Sequence, residues 1–178
     1  APVSKTEHPR ELLRRYLAAF GPATVQDAQA WSGLTRLGEA VEAMKPELRV
    51  FRDERGRELL DLPGAPLPSP DAPAPVRFVP EYDNLVLSHA DRTRVIADEH
   101  RKAVFLTAGR VRATILVDGL VAGVWKIEKS RNLATLVIEA FERLSRQDHD
   151  SLTGEGERLV RFVGDDVKAH AVRFEIAR

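Results

Sequence analysis

Hydrophobic residues recur at three- and four-residue spacing in the first part of the chain, a pattern typical of helices with one buried face. The pattern predicts a first helix over His8–Phe20. Thr24 and Asp27 have the spacing of a capping box and predict the start of a second helix, residues 25–31. The same periodicity over residues 35–45 predicts a third helix.

Two strand-like segments follow the three helices. Residues 48–52 and 58–62 flank a turn that contains Gly56, which is the pattern of a β-hairpin. Three short helices followed by a hairpin is the order of a winged helix, in which the second and third helices form the helix-turn-helix and the hairpin forms the wing. We therefore assign residues 1–62 to a winged-helix domain.

A proline-rich stretch separates this domain from the rest of the chain. Prolines alternate with small residues from Pro63 to Pro75, which favours extended polyproline II structure and excludes a packed helix. Apolar residues resume at Val76. Residues 63–80 are therefore expected to form either a free linker or a strap that lies along the surface.

Alternation of apolar and polar residues dominates residues 81–178 and predicts a small β-rich module. Asp118-Gly119 has the composition of a two-residue hairpin turn. Residues 84–95 fit either a helix or a strand followed by a helix, and residues 152–163 fit an amphipathic helix. The predicted strands are residues 104–106, 112–117, 120–128, 132–141 and 169–176. The predicted fold class is α+β: a winged helix (three helices plus a β-hairpin wing) followed by a small β-rich α+β module.

The composition is that of a globular protein with no overall bias in charge. Hydrophobic residues make up 43% of the 178 positions and charged residues 30%. Basic and acidic residues both number 27, so the formal net charge is zero. Any affinity for DNA must therefore come from local basic patches rather than from the field of the whole molecule.

The absence of cysteine excludes disulfides and thiolate metal ligands. No apolar run approaches the roughly 20 residues of a membrane helix, and residues 1–5 lack the apolar core of a signal peptide. We expect a cytoplasmic protein that does not contact a membrane. The chain begins without Met, as expected of a processed product or of part of a longer protein.

Four arginines on the predicted wing are candidates for DNA contact, because arginine on a hairpin reaches a groove or pairs with phosphates. Acidic residues lie among them, so a solvent-exposed hairpin held by ion pairs explains the same charges. These arginines are Arg49, Arg52, Arg55 and Arg57.

The start of the predicted third helix offers Thr35 and Arg36 as candidates for contacts to bases. The polar face of that helix also carries Glu39 and Glu42, whose charges repel phosphates. The alternative is a structural helix that packs on another domain.

A stronger basic cluster lies in the second part of the chain. Residues 101–131 contain seven basic and two acidic residues, and several of the basic ones lie on predicted strands. We place phosphate contacts here, with an ordinary solvated sheet face as the alternative. The candidates are Arg112, Lys126, Lys129 and Arg131.

The five histidines do not form a metal site by their spacing. His149 lies between two aspartates, but adjacent residues of a helix or strand do not converge on one ion. His170 falls on the apolar face of the last predicted strand and is expected to be a core residue. His89 is the one histidine retained as a functional candidate, while no catalytic residue, metal or cofactor is predicted.

Three stretches of the chain resemble a family of bacterial winged-helix proteins that includes the AlkZ- and YcaQ-like DNA glycosylases. The stretches are residues 14–24 with residues 31–34, residues 81–92 (Glu-Tyr-Asp-Asn-Leu-Val-Leu-Ser-His-Ala-Asp-Arg), and residues 115–125 (Ile-Leu-Val-Asp-Gly-Leu-Val-Ala-Gly-Val-Trp).

This resemblance implies tandem winged-helix modules followed by a small β-rich module, with the chain similar to the C-terminal portion only. The family's glycosylases depend on a Gln-x-Gln or Gln-x-Asp motif in the N-terminal portion. Gln26, Gln29 and Gln147 are the glutamines of this chain, and none is followed two positions later by Gln or Asp. The resemblance therefore implies double-stranded DNA as the partner, possible upstream domains of the same protein, and no base cleavage by this chain alone.

Three functional hypotheses follow from these patterns. The first is the DNA-binding half of a repair glycosylase, which needs broad phosphate contacts rather than contacts to particular bases. The second is a transcription regulator that binds an operator, usually as a dimer. The third is a scaffold whose winged helix binds other proteins.

Overall fold

The computed structural model describes residues 8–176 as a mixed α/β protein with two separate β-sheets. Residues 1–5, considered above for a signal peptide, lie outside the described residues. The chain divides into two compact units that interleave in sequence. The first unit runs to Pro70 and also includes Leu87–Asp91, while the second consists of Asp71–Val86 and the chain from Arg92 onward. The sequence analysis placed the domain boundaries at residues 62 and 81 and did not predict that Leu87–Asp91 belongs to the first unit.

The first unit contains three helices and a hairpin in the predicted order. Thr24 and Asp27 form the predicted capping box, and Gly33 ends the second helix with a φ of 70°. The third helix begins two residues later than predicted, so Thr35 and Arg36 precede it. The elements are α1 (His8–Phe20), α2 (Val25–Ser32), α3 (Leu37–Met44), β1 (Arg49–Arg52) and β2 (Glu58–Asp61).

An aromatic cluster fills the centre of this unit. Tyr16 is almost fully buried, and its ring centroid lies 5.3 Å from that of Trp31 and 5.4 Å from that of Phe20. Met44 from α3 and Leu60 from β2 complete the same core. Burial of side chains of this size contributes about 1.5–3 kcal/mol each, which holds the short helices together.

The second unit is built around a five-stranded sheet in the order β3-β4-β5-β6-β7. Neighbouring strands are antiparallel except β6 and β7, which are parallel. The long helix α6 connects those two strands, as a parallel pair requires. The elements are β3 (Arg77–Val79), α4 (Asn84–Leu87), α5 (Arg101–Val104), β4 (Thr114–Val117), β5 (Leu120–Lys129), β6 (Leu133–Ala140), α6 (Arg146–Val163) and β7 (Ala169–Ile176).

Local sequence explains the hairpin between β4 and β5. Asp118 and Gly119 have φ values of 49° and 76°, the left-handed pair that a type I′ turn requires. On β5, Gly123 allows a close approach, since a Cβ there would lie 2.5 Å from the carbonyl oxygen of Glu139.

Helix α6 packs on the sheet through a narrow stripe of residues. Leu152, Gly156 and Val160 are buried on this side of the helix. A Cβ on Gly156 would lie 2.7 Å from Leu136 Cδ2, so the missing side chain lets the helix approach the strand closely. Leu136 and Leu152 belong to one core cluster with Ile138.

Several predicted elements of the second unit differ from the structure. Residues 104–106 do not form the predicted strand: Val104 ends α5, and Phe105 makes a single bridge with Val111. Helix α6 begins at residue 146 instead of 152, because the Ser145 side chain caps it by accepting from Asp148 N. The short strand β3 was not predicted, and of residues 84–95 only the four of α4 are helical.

Among the residues that the structure describes, no helix combines the length and the apolar character needed to span a membrane.

Candidate nucleic-acid interface

The segment Leu87–Asp91 is held against the helices of the first unit by buried hydrogen bonds. Tyr16 Oη donates to the carbonyl oxygen of Ser88 at 2.8 Å. The backbone nitrogen of Ala90 donates to Asp27 Oδ1 at 2.9 Å. The other carboxylate oxygen of Asp27 accepts from Thr24, so one buried carboxylate both caps α2 and anchors the returning segment.

His89 occupies a structural position within this segment. Its side chain is largely buried, with Nδ1 2.8 Å from Ser88 Oγ and Nε2 3.2 Å from the carbonyl oxygen of Phe20. A carbonyl oxygen only accepts, so Nε2 carries the proton and Nδ1 accepts from the serine hydroxyl. Both ring nitrogens are thus engaged, and the geometry leaves neither for a ligand.

Two of the four arginines predicted to contact DNA from the hairpin are held in ion pairs. Arg57 lies 2.8 Å from Asp91 and also pairs with Asp53, and these two carboxylates raise its pKa. Arg55 lies 3.4 Å from the same Asp91. The last residue of the returning segment therefore places a negative charge beside the hairpin turn.

The other two arginines of the hairpin lie on β1 and are exposed. Arg49 packs over the ring of Phe51, with its Cζ 4.9 Å from the ring centroid. Within residues 8–176, neither Arg49 nor Arg52 forms an ion pair with a carboxylate. These two guanidinium groups are available to an anion.

Thr35 and Arg36 lie in the connection that leads into α3, both exposed to solvent. Arg36 has a φ of 61° and occupies the N-cap position without a capping hydrogen bond from its side chain. The first helical nitrogen, that of Leu37, donates instead to Gln29 Oε1 at 3.1 Å. The side chain of Arg36 pairs with no carboxylate among the described residues.

Most of the basic residues predicted to contact phosphates in the second unit are paired with acidic ones. Arg112 is half-buried, lies 2.6 Å from Glu139 and also donates to the carbonyl oxygen of Ala103. Arg131, in the turn between β5 and β6, is exposed and has no carboxylate partner in the described part of the chain.

Lys126 and Lys129 each neutralise a nearby carboxylate. Lys126 lies 2.6 Å from Glu128, and its hydrogen bond is the main reason that the pKa of Glu128 is lowered. Lys129 lies 2.8 Å from Asp166 and lowers the pKa of that carboxyl in the same way. The charges of these two carboxylates reduce the local excess of positive charge that the sequence suggested.

His170 and His149 make contacts within the second unit, although neither is fully buried as a core residue would be. His170 is half-buried and its Nε2 lies 2.8 Å from the carbonyl oxygen of Gly164, while His149 stacks on Phe174 with ring centroids 4.0 Å apart. The side chain of His8 lies outside the described residues.

Three side chains that line a cavity have the residue types of metal ligands. Glu99, His100 and Glu142 bring ligand atoms within 4.8 Å of one another, beside a cavity of about 290 Å³. His100 also packs against Phe141, with ring centroids 4.5 Å apart. Exposed glutamates beside a histidine are common on protein surfaces, so this group alone does not define a metal centre.

Comparison with known proteins gives one family and one well-matched structure. A family model described as DNA glycosylase AlkZ-like matches residues 1–162. The chain is 28% identical over 166 residues to an interstrand DNA cross-link repair glycosylase from Streptomyces sahachiroi, an alignment that covers 86% of this chain and 42% of that relative.

The similarity extends to three dimensions. The solved structure of the Streptomyces sahachiroi DNA glycosylase AlkZ matches with a TM-score of 0.79 and 25% identity. The match covers 98% of this chain and 48% of that chain. The chain therefore spans about half the length of the relatives it matches.

Proposed function

Because the chain belongs to the family of AlkZ-like DNA glycosylases, we propose that it is the DNA-binding, non-catalytic C-terminal portion of a DNA-repair glycosylase-like protein. Its task is to hold double-stranded DNA through the phosphate backbone, while base release requires residues that this chain does not contain. The observation that carries the proposal is the match of 98% of the chain to about half of a solved DNA glycosylase.

The first unit fits the role of a winged helix. In this proposal α2 and α3, joined by the left-handed Gly33, form the helix-turn-helix, and the β1–β2 hairpin forms the wing. Arg36 has a left-handed backbone conformation at the start of α3, and its side chain is exposed to solvent. In winged-helix proteins this third helix enters the DNA groove.

The distribution of ion pairs divides the candidate DNA contacts into two groups. A basic residue that is paired with a carboxylate contributes less to phosphate binding. Either the ion pair must break, or the carboxylate stays nearby and repels the phosphate. The matched group is Arg55, Arg57, Arg112, Lys126 and Lys129. The group without a carboxylate partner among residues 8–176 is Arg36, Arg49, Arg52 and Arg131, with Thr35 as a neutral neighbour.

The absence of the glutamine motif supports a non-catalytic role for this piece. The residue two positions after each glutamine is Ala28, Trp31 or His149, and none of these is Gln or Asp. Moreover, Gln29 is engaged in the connection to α3 through its side-chain oxygen. A glycosylase must extract its base from the stack and activate the glycosidic bond, and the proposal assigns that chemistry to a part of the protein outside this sequence.

The test is a titration of the chain onto a labelled duplex of random sequence at several salt concentrations. We expect a dissociation constant of about 10⁻⁴ to 10⁻⁶ M at physiological salt, with tighter binding as salt is lowered. A second duplex of unrelated sequence is the control and should bind with the same affinity. An alkylated duplex should release no base when incubated with the chain alone.

Three outcomes would contradict the proposal. No binding at low salt would favour a scaffold role. A strong preference for one sequence would favour a transcription regulator, and release of a modified base would show that the chain is itself catalytic.

A further inference from the structure

Arg92 is the last residue of the sequence motif at residues 81–92, and it carries a charge that no carboxylate among residues 8–176 balances. Its guanidinium group lies over the ring of Phe105, with Cζ 4.5 Å from the ring centroid. Its Nε atom is buried without a hydrogen-bond partner. In the part of the chain that the structure describes, no carboxylate pairs with Arg92.

The surroundings of Arg92 make this unbalanced charge costly. Burial lowers the pKa of Arg92, and the positive charge of Arg101 lowers it further. The guanidinium group nevertheless stays protonated, because arginine keeps its proton at any physiological pH. A partly buried cation that is placed beside a second cation is stabilised when an anion binds between them.

The neighbouring segment adds positive charge and no negative charge. Residues 101–112, here called the basic segment, contain Arg101, Lys102, Arg110 and Arg112 and no acidic residue. Backbone hydrogen bonds close this segment into a compact loop around Phe105: Leu106 N donates to Arg110 O at 2.8 Å, and Arg112 N donates to Val104 O at 3.0 Å. Phe105, whose ring lies under the guanidinium group of Arg92, therefore belongs to the basic segment.

Two cations of the basic segment form ion pairs with carboxylates, and the other two have no carboxylate partner among the described residues. Arg112 pairs with Glu139, and Arg101 makes an exposed contact of 3.5 Å with Asp98. Lys102 and Arg110 have no carboxylate partner among residues 8–176. The terminal nitrogens of Arg92 are not among the buried unpartnered atoms, so the planar fork of the guanidinium group reaches solvent.

We propose that Arg92 and Arg101 form a phosphate-binding site for the DNA backbone, with the remaining cations of the basic segment raising the potential around it. The proposal rests on the proposed function and assigns that function a specific contact. Phe105 orients the fork by stacking, which leaves the edge of the guanidinium group for bidentate hydrogen bonds to phosphate oxygens. An acid-free segment with several cations suits a polyanion better than a single carboxylate.

The test compares Arg92→Gln and Arg101→Gln with Arg146→Gln, in the titration of duplex against salt described above. Arg146 lies on α6 with a side chain that is 97% exposed, so its replacement removes the same charge from a different surface. We expect Arg92→Gln to weaken duplex binding about three- to tenfold and to lower the salt slope by about one, with a smaller loss in Arg101→Gln, because Asp98 already pairs with Arg101. Arg146→Gln should change the dissociation constant less than twofold.

A stability measurement separates binding from packing. If Arg92 serves an anion, removal of its unbalanced charge leaves the thermal midpoint of Arg92→Gln unchanged or higher. A lower midpoint together with weaker binding would mean that the stacking on Phe105 is structural, and the proposal would be wrong. Unchanged binding and an unchanged salt slope in Arg92→Gln would overturn it as well.

A second measurement keeps this inference distinct from the proposed function. The Nε–Hε resonance of Arg92 should shift when a short duplex is added to the isotope-labelled protein, and shift only at much higher concentrations of inorganic phosphate. A shift with inorganic phosphate at lower concentrations than with duplex would assign the site to free phosphate. If the wild-type chain binds no duplex and no shift occurs with either anion, both the proposed function and this site are wrong.

Discussion

At the scale of the residue, Asp27 shows how one carboxylate supports two parts of the chain. It accepts from Thr24 at the start of α2 and from Ala90 in the returning segment, and it is buried. The sequence predicted the first role from a spacing of three residues. It gave no sign of the second, because Asp27 and Ala90 are 63 positions apart.

Asp27→Ala should lower the free energy of unfolding by about 2–4 kcal/mol, since it removes half of the capping box of α2 and takes the acceptor from the backbone nitrogens of Thr24 and Ala90. The comparison is Asp148→Ala at the exposed start of α6, where Ser145 still caps the helix. That change should cost about 1 kcal/mol or less. Urea denaturation of both variants measures the difference, and equal losses would contradict a dual role for Asp27.

Asp91 limits the positive charge of the hairpin, because it pairs with both Arg55 and Arg57. Asp91→Asn should therefore tighten duplex binding about two- to fivefold at low salt, as expected when a charge at the rim of an interface is removed. Asp165→Asn makes the same change in net charge in the exposed turn that follows α6 and is the control. An equal gain in both variants would indicate a general charge effect.

The candidate site was harder to predict than the fold for a reason that also lies at this scale. Charge runs are visible in a sequence, but their partners are not. Lys129 and Asp166 are 37 positions apart, and Arg55 and Asp91 are 36 apart. Arg92 illustrates the converse: the fold places it beside Phe105 and Arg101, and among the described residues it has no carboxylate partner.

At the scale of the element, the accuracy of the sequence analysis followed the strength of the local signal. The strand β7 alternates over eight residues and was predicted with its bounds, and the turn at Asp118-Gly119 has a composition that fits one turn type. The three-residue β3 is too short to show alternation, and it exists because it pairs with β4. The helix predicted over residues 152–163 is present, but residues 146–151 of α6 are all polar and show no apolar periodicity, so the prediction missed them.

The two glycines of α6 give a matched test of helix packing. A Cβ on Gly154 meets nothing within 4 Å, whereas a Cβ on Gly156 meets Leu136 at 2.7 Å and Phe78 at 3.3 Å. Gly154→Ala should raise the free energy of unfolding by about 0.5–1 kcal/mol, because alanine favours the helix. Gly156→Ala should lower it by about 1–3 kcal/mol through overpacking. Thermal unfolding that shows the same sign for both variants would contradict this placement of α6.

At the scale of the whole molecule, basic and acidic residues are equal in number, and many of them lie next to one another. The net charge is zero, and many exposed cations sit beside a carboxylate. A protein of this kind has little long-range attraction for a polyanion, so the proposed binding of DNA would depend on local positions where, among the described residues, no carboxylate balances a cation. Arg36, Arg52, Arg92 and Arg131 are such positions.

The return of Leu87–Asp91 to the first unit determines how the chain can be divided. A fragment that ends at Pro70 retains α1, α2, α3 and the β1–β2 hairpin but lacks the acceptor for Tyr16 Oη and the donor to Asp27 Oδ1. We expect this fragment to show helical circular dichroism without a cooperative thermal transition. A synthetic peptide of residues 84–95 should restore the transition, and a fragment that melts cooperatively by itself would contradict the expectation.

The same interleaving has an evolutionary consequence. A gene segment that ends at Pro70 would encode the first unit without Leu87–Asp91. A segment that begins at Asp71 would encode the second unit together with these five residues, but without the helices that they contact. Exchange of either unit as a cassette between genes is therefore disfavoured, since an intact product requires both to move together. Related chains should gain or lose the two units as one block, with insertions collecting in the proline-rich stretch rather than in residues 84–95.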